Sequence, residues 1–379
     1  MAAGQPRTAT QADRPQQRKP SLGLVAALKT RPETVLADIA EVMRLAGAAE
    51  TLSPAYETIL KINISWQHYY PACSTTPWQL EGTIRALTNL GHARQGLIPA
   101  QNRTVVVDPK QGAESNKHNA VLRKYGIKPV WLHEPGIEWI KYQPRSQMLA
   151  LTEVFPKGIL IPRMFVGRNA IHLPTLKTHV FTTTTGAMKN AFGGLLGDNR
   201  HWCHARIHES LVDLLRIQQE IHPGLFALMD GTICGNGPGP RAMEPVQKDY
   251  LLASADMVAI DAIAAKMMGF DPMKLGFIRL AHEHGLGVGD PGEIEVRGED
   301  ISDVNFHFHV GDTFASWGQK LIYHGPLKFA EHFLLRTPIV PWSYFASNVY
   351  HNWYWYNVKG KRRVRQALRT PWGKLFQAY

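Results

Sequence analysis

Cysteine is scarce, with only Cys73, Cys203 and Cys234 in a chain of 379 residues. They lie far apart in sequence, which argues against a disulfide scaffold and for a reducing, cytoplasmic setting. No Cys-x-x-Cys pair occurs, so neither a ferredoxin-type cluster nor a zinc ribbon has local support. No stretch approaches the roughly 18 uninterrupted apolar residues that span a bilayer. The basic N-terminus is followed by no apolar h-region, which argues against a secretory leader. A Gly-Lys-Ser/Thr after a Gly-rich loop and a dinucleotide fingerprint are both missing, so no nucleotide-binding motif is present. Repeats of fixed period are absent too, which excludes solenoids.

What is present is a net charge of +11, unevenly placed. Residues 1–20 carry +3 and residues 359–379 carry +7 with no acid, leaving +1 for everything between. Basicity therefore belongs to the tails, and a nucleic-acid partner is not expected, because such a partner wants a basic face spread over the fold.

Residues 1–22 are rich in Pro, Gln, Arg and Thr without periodicity and read as a disordered basic arm. After a helix around Thr34–Leu45, strands are expected at 58–65, 103–108 and 128–133, with helices at 77–91 and 116–124 between them. The second half repeats the style, with strands at 158–163, 169–174, 224–231 and 293–299 and helices at 186–196, 209–221 and 256–269. Asp256 suits the N-cap of the last helix and Gly269 its C′ position. Short connections in this alternation predict an α/β core over 23–310, with mostly parallel strands flanked by helices. One core or two lobes, 23–150 and 151–310, both fit that pattern. Residues 311–379 form an aromatic and basic helical extension.

The most informative stretch is "LKTHVFTTTTGAMKNAFGG", 176–194. Lys177 and His179 share a face if extended. Thr185 and Gly186 open a helix whose free N–H groups would suit an anion, with Lys189 and Asn190 one turn inside. A Thr-rich loop and a surface lysine are the plainer reading. In "MDGTICGNGPGPRAMEP", 229–245, a buried strand ends at Asp230, and Gly235, Asn236 and Gly237 follow. Ligands of open α/β sheets bind outside the carboxyl ends of strands, where Asp230 would stand; a structural Ω-loop is the competing reading. Asp261 lies on the apolar side of its helix and is either paired, with Lys189 or an arginine, or functional. His201, His204 and His208 share one face if helical and form the candidate metal set, although their spacing matches no compact zinc signature.

The C-terminal segment holds Trp342, Tyr344, Phe345, Tyr350, Trp353, Tyr354, Trp355 and Tyr356 ahead of the basic tail. Over 342–379 it reads as packing on the core, as contact with an anionic membrane surface or acidic protein, or as RNA binding. Removing 359–379 is expected to leave the fold intact.

Leu176–His179, Gly186–Asn190, Asp230–Gly231, Gly235–Pro238 and Asp256–Asp261 stand in the order of a known signature set. Over roughly residues 58–300 the chain resembles the family named domain of unknown function 362. That resemblance implies an α/β prokaryotic protein whose relatives often carry a fused ferredoxin module. This chain lacks the module's Cys spacing, and its aromatic, basic C-terminus lies outside the resemblance.

Taken together, the residues predict an enzyme acting on a small anionic substrate or cofactor. Lys177, His179 and Asp230 would transfer protons in carbon-acid, isomerase or lyase chemistry. Thr185, Gly186, Lys189, Asn190, Gly235, Asn236, Gly237 and Asp261 would hold the anion. Lys177, His179, Lys189 and Asp230 are expected to line one cavity. The alternatives are a non-catalytic redox or iron–sulfur accessory protein, and a membrane-surface scaffold.

Overall fold

In the computed structural model, which describes residues 22–104, 107–311 and 349–379, apolar runs of four to six residues become strands of one large sheet. The strands are β1 (Leu24–Lys29), β2 (Thr58–Ile62), β3 (Leu97–Gln101), β4 (Val130–Trp131), β5 (Trp139–Tyr142), β6 (Ile159–Pro162), β7 (Asn169–Leu173), β8 (Thr175–His179), β9 (Thr183–Thr184), β10 (Leu225–Asn236), β11 (Glu244–Ser254) and β12 (Glu295–Gly298). The sheet runs β12-β1-β11-β10-β7-β2-β3-β4, with β8 paired to β10 and β9, while β5 and β6 form a separate hairpin. The centre β10-β7-β2-β3-β4 is parallel, and β11 is antiparallel to both β1 and β10. Strands from both halves of the sequence alternate in this order, so the halves share one sheet.

Helices cover both faces. On one lie Val35–Leu45 and Pro77–Asn89, over Leu60, Ile62, Ile171 and Leu228. On the other lie Ile207–Ile221 and Met257–Met268, over Ile59, Ala170 and Met229. Local chemistry fixes the helix ends. Thr76 and Gln79 form a reciprocal capping box behind Pro77. Asp256 Oδ1 accepts from the N–H groups of Val258 and Ala259 at 2.9 and 3.0 Å, and Gly269 closes that helix in the left-handed region at φ +97°.

Four expectations need correction. The run at 103–108 is not a strand; the strand is β3, and Pro99 inside it disguised it, since proline normally removes a segment from consideration as a central strand. The helix at 186–196 is broken into Gly186–Asn190 and Phe192–Leu195. β10 does not stop near Asp230 but continues to Asn236 and returns as β11, so the Gly-rich segment is the tip of a long antiparallel hairpin. Finally, the tail cannot be dispensable for the fold: in the Pro371–Ala378 helix, Trp372 is fully buried against Trp78, with ring centroids 5.0 Å apart, and Phe376 stacks on Tyr69 at 3.8 Å. Trp342, Tyr344 and Phe345 lie outside the described residues. Among the described residues, no helix is long and apolar enough to cross a membrane.

Candidate functional site

The parallel strands bring charged side chains to their carboxyl ends. Lys61, the penultimate residue of β2, shares a face with Ile59 and is buried; its ammonium donates to Ile62 O at 2.5 Å and to Gln101 Oε1. Gly194 lies so close to the Lys61 stem that a Cβ there would come within 2.8 Å of its Cε. Pro174 separates β7 from β8, all five residues of which are buried. Lys177 donates to Cys73 O at 2.5 Å, to Thr175 Oγ1 at 3.0 Å and, at 3.4 Å, to Ser65 Oγ. His179, two residues on, accepts the Phe181 N–H on Nδ1 at 3.1 Å, an arrangement that puts the ring proton on Nε2.

Lys189 is partly exposed, and its ammonium has no hydrogen-bond or ion-pair partner among the described residues. It sits over the Phe192 ring at 5.5 Å. His204 meets Phe192 edge-on at 5.7 Å and lies 5.4 Å from Phe181, which in turn lies 6.0 Å from His179. Arg200 closes the group, donating to Arg103 O at 2.5 Å. Arg241, in the hairpin tip between β10 and β11, has a buried Nη1 with no hydrogen-bond partner among the described residues.

The electrostatics have one sign. Burial pushes Lys61 down to about 7, with repulsion from Arg200 adding to it. Burial pushes Lys189 down to about 7 as well, helped by Lys177 and Arg200. Lys177 falls to about 8 through burial. Burial, then Lys189, His204, Lys177 and Arg241, hold His179 well below the usual histidine value, so it is neutral. Burial also depresses Arg241. None of Lys61, Lys177, Lys189 and Arg241 meets a carboxylate among the described residues, although buried cations are normally paired. Beside them, the Thr184 and Thr185 hydroxyls are buried without a hydrogen-bond partner among the described residues. Hydroxyls and cations gathered in this way are complementary to an anion.

The helix start at Gly186 is already occupied by an anion, and it belongs to the chain. Asp261 accepts the N–H groups of Ala187 and Met188 at 2.5 and 3.0 Å. Gly186, at φ +66°, leaves room for this: a Cβ there would fall 2.3 Å from the carboxylate. Burial lifts the Asp261 carboxyl to about 7 against the pull of those two N–H bonds. Asp261 is thus buried and held by backbone donors rather than by Lys189 or an arginine.

Asp230 is not brought to the cations. Its carboxylate accepts from Thr76 Oγ1, from Trp78 Nε1 at 2.9 Å and from the Thr232 N–H at 2.7 Å, on the Leu228 face of the sheet. Burial raises it, and those donors restrain the rise. The hairpin tip is tied down in the same way. Thr178 Oγ1 donates to Gly235 O and Gly237 O at 3.1 and 2.6 Å, while Asn236 Oδ1 accepts from, and the Gly237 N–H donates to, the backbone of His309. A Cβ on Gly239 would sit 1.8 Å from Thr178 O, so these glycines serve close packing of the tip on β8. Asn190 Nδ2 donates to Lys61 O at 2.8 Å and so positions the lysine backbone.

The histidine trio does not converge. His204 Nδ1 is engaged with His201 O at 2.8 Å, and His208 accepts the Phe277 N–H and stacks on its ring. Among the described residues, no group of three His, Cys, Asp or Glu side chains is placed to hold a metal ion. Cys73 packs with Trp66 and Met243, whereas Cys203 and Cys234 lie in the main core, so the thiols do not fit an iron–sulfur cluster. Sequence reasoning missed Lys61, Arg200 and Arg241. A lysine on the apolar face of a strand was the readable signal for the first; nothing local marked the other two.

The family model for the domain of unknown function DUF362 matches residues 58–266, more than half of the chain. Thylakoid-associated protein sll1697 of Synechocystis sp. is 31% identical over 123 residues, which cover 31% of this chain and 37% of that protein. The match therefore spans little more than a third of that relative. No solved structure matches the chain significantly.

Proposed function

The chain belongs to the family of the domain of unknown function DUF362, and from the cations that the shared region gathers we propose an enzyme that binds a small anionic substrate and moves a proton on it. The carrying observation is Lys189, a half-buried residue whose ammonium has no hydrogen-bond or ion-pair partner among the described residues, beside further buried cations that meet no carboxylate there. Lys61, Lys177, Lys189, Arg200 and Arg241 all fall within the matched region 58–266. Lys177 and Lys61, fixed by carbonyl and side-chain acceptors, set the positive potential, and Arg241 with the Thr184 and Thr185 hydroxyls contacts the anion. Lys189, near neutrality at about 7, is suited to act as the base at physiological pH. It takes a proton from a carbon beside the anionic group, and the electron pair passes to the substrate oxygen. His179, neutral with its proton on Nε2, donates a hydrogen bond to that oxygen. Asp230, saturated with donors, holds the start of the Pro77–Asn89 helix against the sheet instead of joining the chemistry.

The test is a thermal-shift panel of sulfate, phosphate, pyrophosphate and citrate on the wild type and on Lys189→Met, followed by incubation of any binder in D2O. Stabilisation of the wild type, loss of it in the variant, and deuterium incorporation into a bound carbon acid support the reading. A wild type indifferent to every anion at pH 6.5 contradicts it.

We also place the protein at the cytoplasmic side of a membrane as a peripheral component. The name of the Synechocystis relative, a thylakoid-associated protein, supports the membrane association alone.

A further inference from the structure

The C-terminal segment divides its aromatic residues between two sides of one helical stretch. A π-helix, Val349–Gly360, runs directly into the α-helix Lys361–Ala367. Its inner side is anchored. Trp355 packs on Trp66 and Tyr70, with centroids 5.9 and 5.4 Å away, Tyr356 stacks on His68 at 4.4 Å, and Arg363 donates to Met243 O at 2.8 Å. These contacts fix which side faces outward.

On that outer side Trp353 is 79% exposed, Tyr354 60% and Val358 59%. Together with Val349 they are four of the six large hydrophobic residues exposed among the described residues, so the exposed apolar surface is concentrated on one helical stretch. Trp353, Lys361 and Arg365 recur at four- or eight-residue intervals, as do Tyr354, Val358 and Arg362, so apolar and basic side chains form one stripe. Lys359, Lys361, Arg362 and Arg365 are all exposed, and residues 349–379 contain no acid to compensate them. A stack of nucleic-acid bases would have no use for the valines. The acyl boundary accepts them, the headgroup level suits Trp and Tyr, and an anionic surface suits the lysines and arginines.

We propose that the outward stripe of residues 349–365 docks the protein on an anionic lipid surface, with Trp353, Tyr354 and Val358 entering the headgroup boundary and Lys361, Arg362 and Arg365 pairing with lipid phosphates and carboxylates. This names the surface used in the peripheral location proposed above and rests on it. It is independent of the cation site.

The experiment is vesicle sedimentation of the full chain with phosphatidylcholine alone and with phosphatidylcholine plus phosphatidylserine, at low and high salt. The variants are Trp353→Ser/Tyr354→Ser and Lys361→Gln/Arg362→Gln/Arg365→Gln, checked by near-ultraviolet circular dichroism. The wild type sediments with the anionic vesicles. Each basic residue near such a surface is worth about fivefold in partitioning, so the triple variant loses roughly 100-fold. The double aromatic variant loses the part of the binding that high salt leaves behind. Wild-type binding that both variants retain in full overturns the stripe while leaving the peripheral location standing. A wild type that ignores anionic vesicles overturns both, and one that ignores them but binds polyuridylate gives the stripe to nucleic acid.

Discussion

Lys61 offers a stability measurement that reads the charge state of the site without any ligand. Its ammonium is buried in the sheet, and its pKa falls from the ordinary 10.5 to about 7. At 1.36 kcal/mol per pH unit, carrying that proton in the folded state below pH 7 costs on the order of 5 kcal/mol. The unfolded chain keeps the lysine protonated up to its ordinary value. Between about 7 and 10.5 the unfolded state therefore binds more protons, and wild-type stability rises with pH across that window. Lys61→Met removes the titration and leaves Ile62 O and Gln101 Oε1 without their donor, a loss of about 1–3 kcal/mol that does not depend on pH. At pH 10 the variant is then less stable than the wild type. Lowering the pH to 6 moves the difference in the variant's favour, by up to about 1.4 kcal/mol per unit at the steepest. Urea unfolding at pH 6, 7, 8, 9 and 10 measures the trend. A difference between variant and wild type that stays constant over this range refutes the depressed lysine.

Three further outcomes follow from single contacts. Asp261→Asn removes one of the two acceptors at the Ala187 and Met188 N–H groups and costs about 1–3 kcal/mol in urea unfolding. Because the carboxyl rises from 3.8 to about 7 on folding, wild-type stability carries a falling contribution as pH rises through that window, and the Asn variant lacks it. Gly186→Ala places a Cβ against the Asp261 carboxylate at φ +66°, so its melting temperature should drop by at least as much as that of Asp261→Asn. Trp372→Ala, emptying a fully buried site against Trp78, should cost about 3–5 kcal/mol and show the basic tail to be part of the core; a melting curve unchanged by the substitution speaks against that.

Much of the fold was legible because helix ends and buried strands write themselves locally. Asp256, Gly269 and the apolar runs of β2, β7 and β10 needed no distant partner to be read. β3 was hidden by Pro99, and β11 by the polar run Gln247, Lys248 and Asp249 that precedes its apolar half, beyond a proline-rich tip. The site was legible in Lys177, Lys189 and His179, which lie on adjacent elements. It was not legible in Arg200, which reaches it from the 3-10 helix Asp198–Arg206, or in Arg241, which reaches it from the β10–β11 tip, nor in the fate of the helix start at Gly186. Local rules say that such a start attracts an anion. Only the packing of the Met257–Met268 helix beside it decides that the anion is Asp261. The same holds for Asp230: its position in the sheet was readable, but Thr76 and Trp78, which saturate it, come from more than 150 residues earlier.

The central claim is that Lys61, Lys177 and Lys189 form an anion site held short of full protonation. Isothermal titration of pyrophosphate into the protein at pH 7.5, in two buffers of different ionisation enthalpy, tests it directly. An anion restores the protons that burial removed from Lys61 and Lys177, with pKa values of about 7 and 8, so binding should take up about one proton from buffer while Lys189 stays free to act as the base. Affinity should fall as pH rises from 7 to 9, and Lys61→Met should lose most of the proton uptake. Binding with no proton uptake and equal affinity at pH 7 and 9, or no binding at either, contradicts the claim.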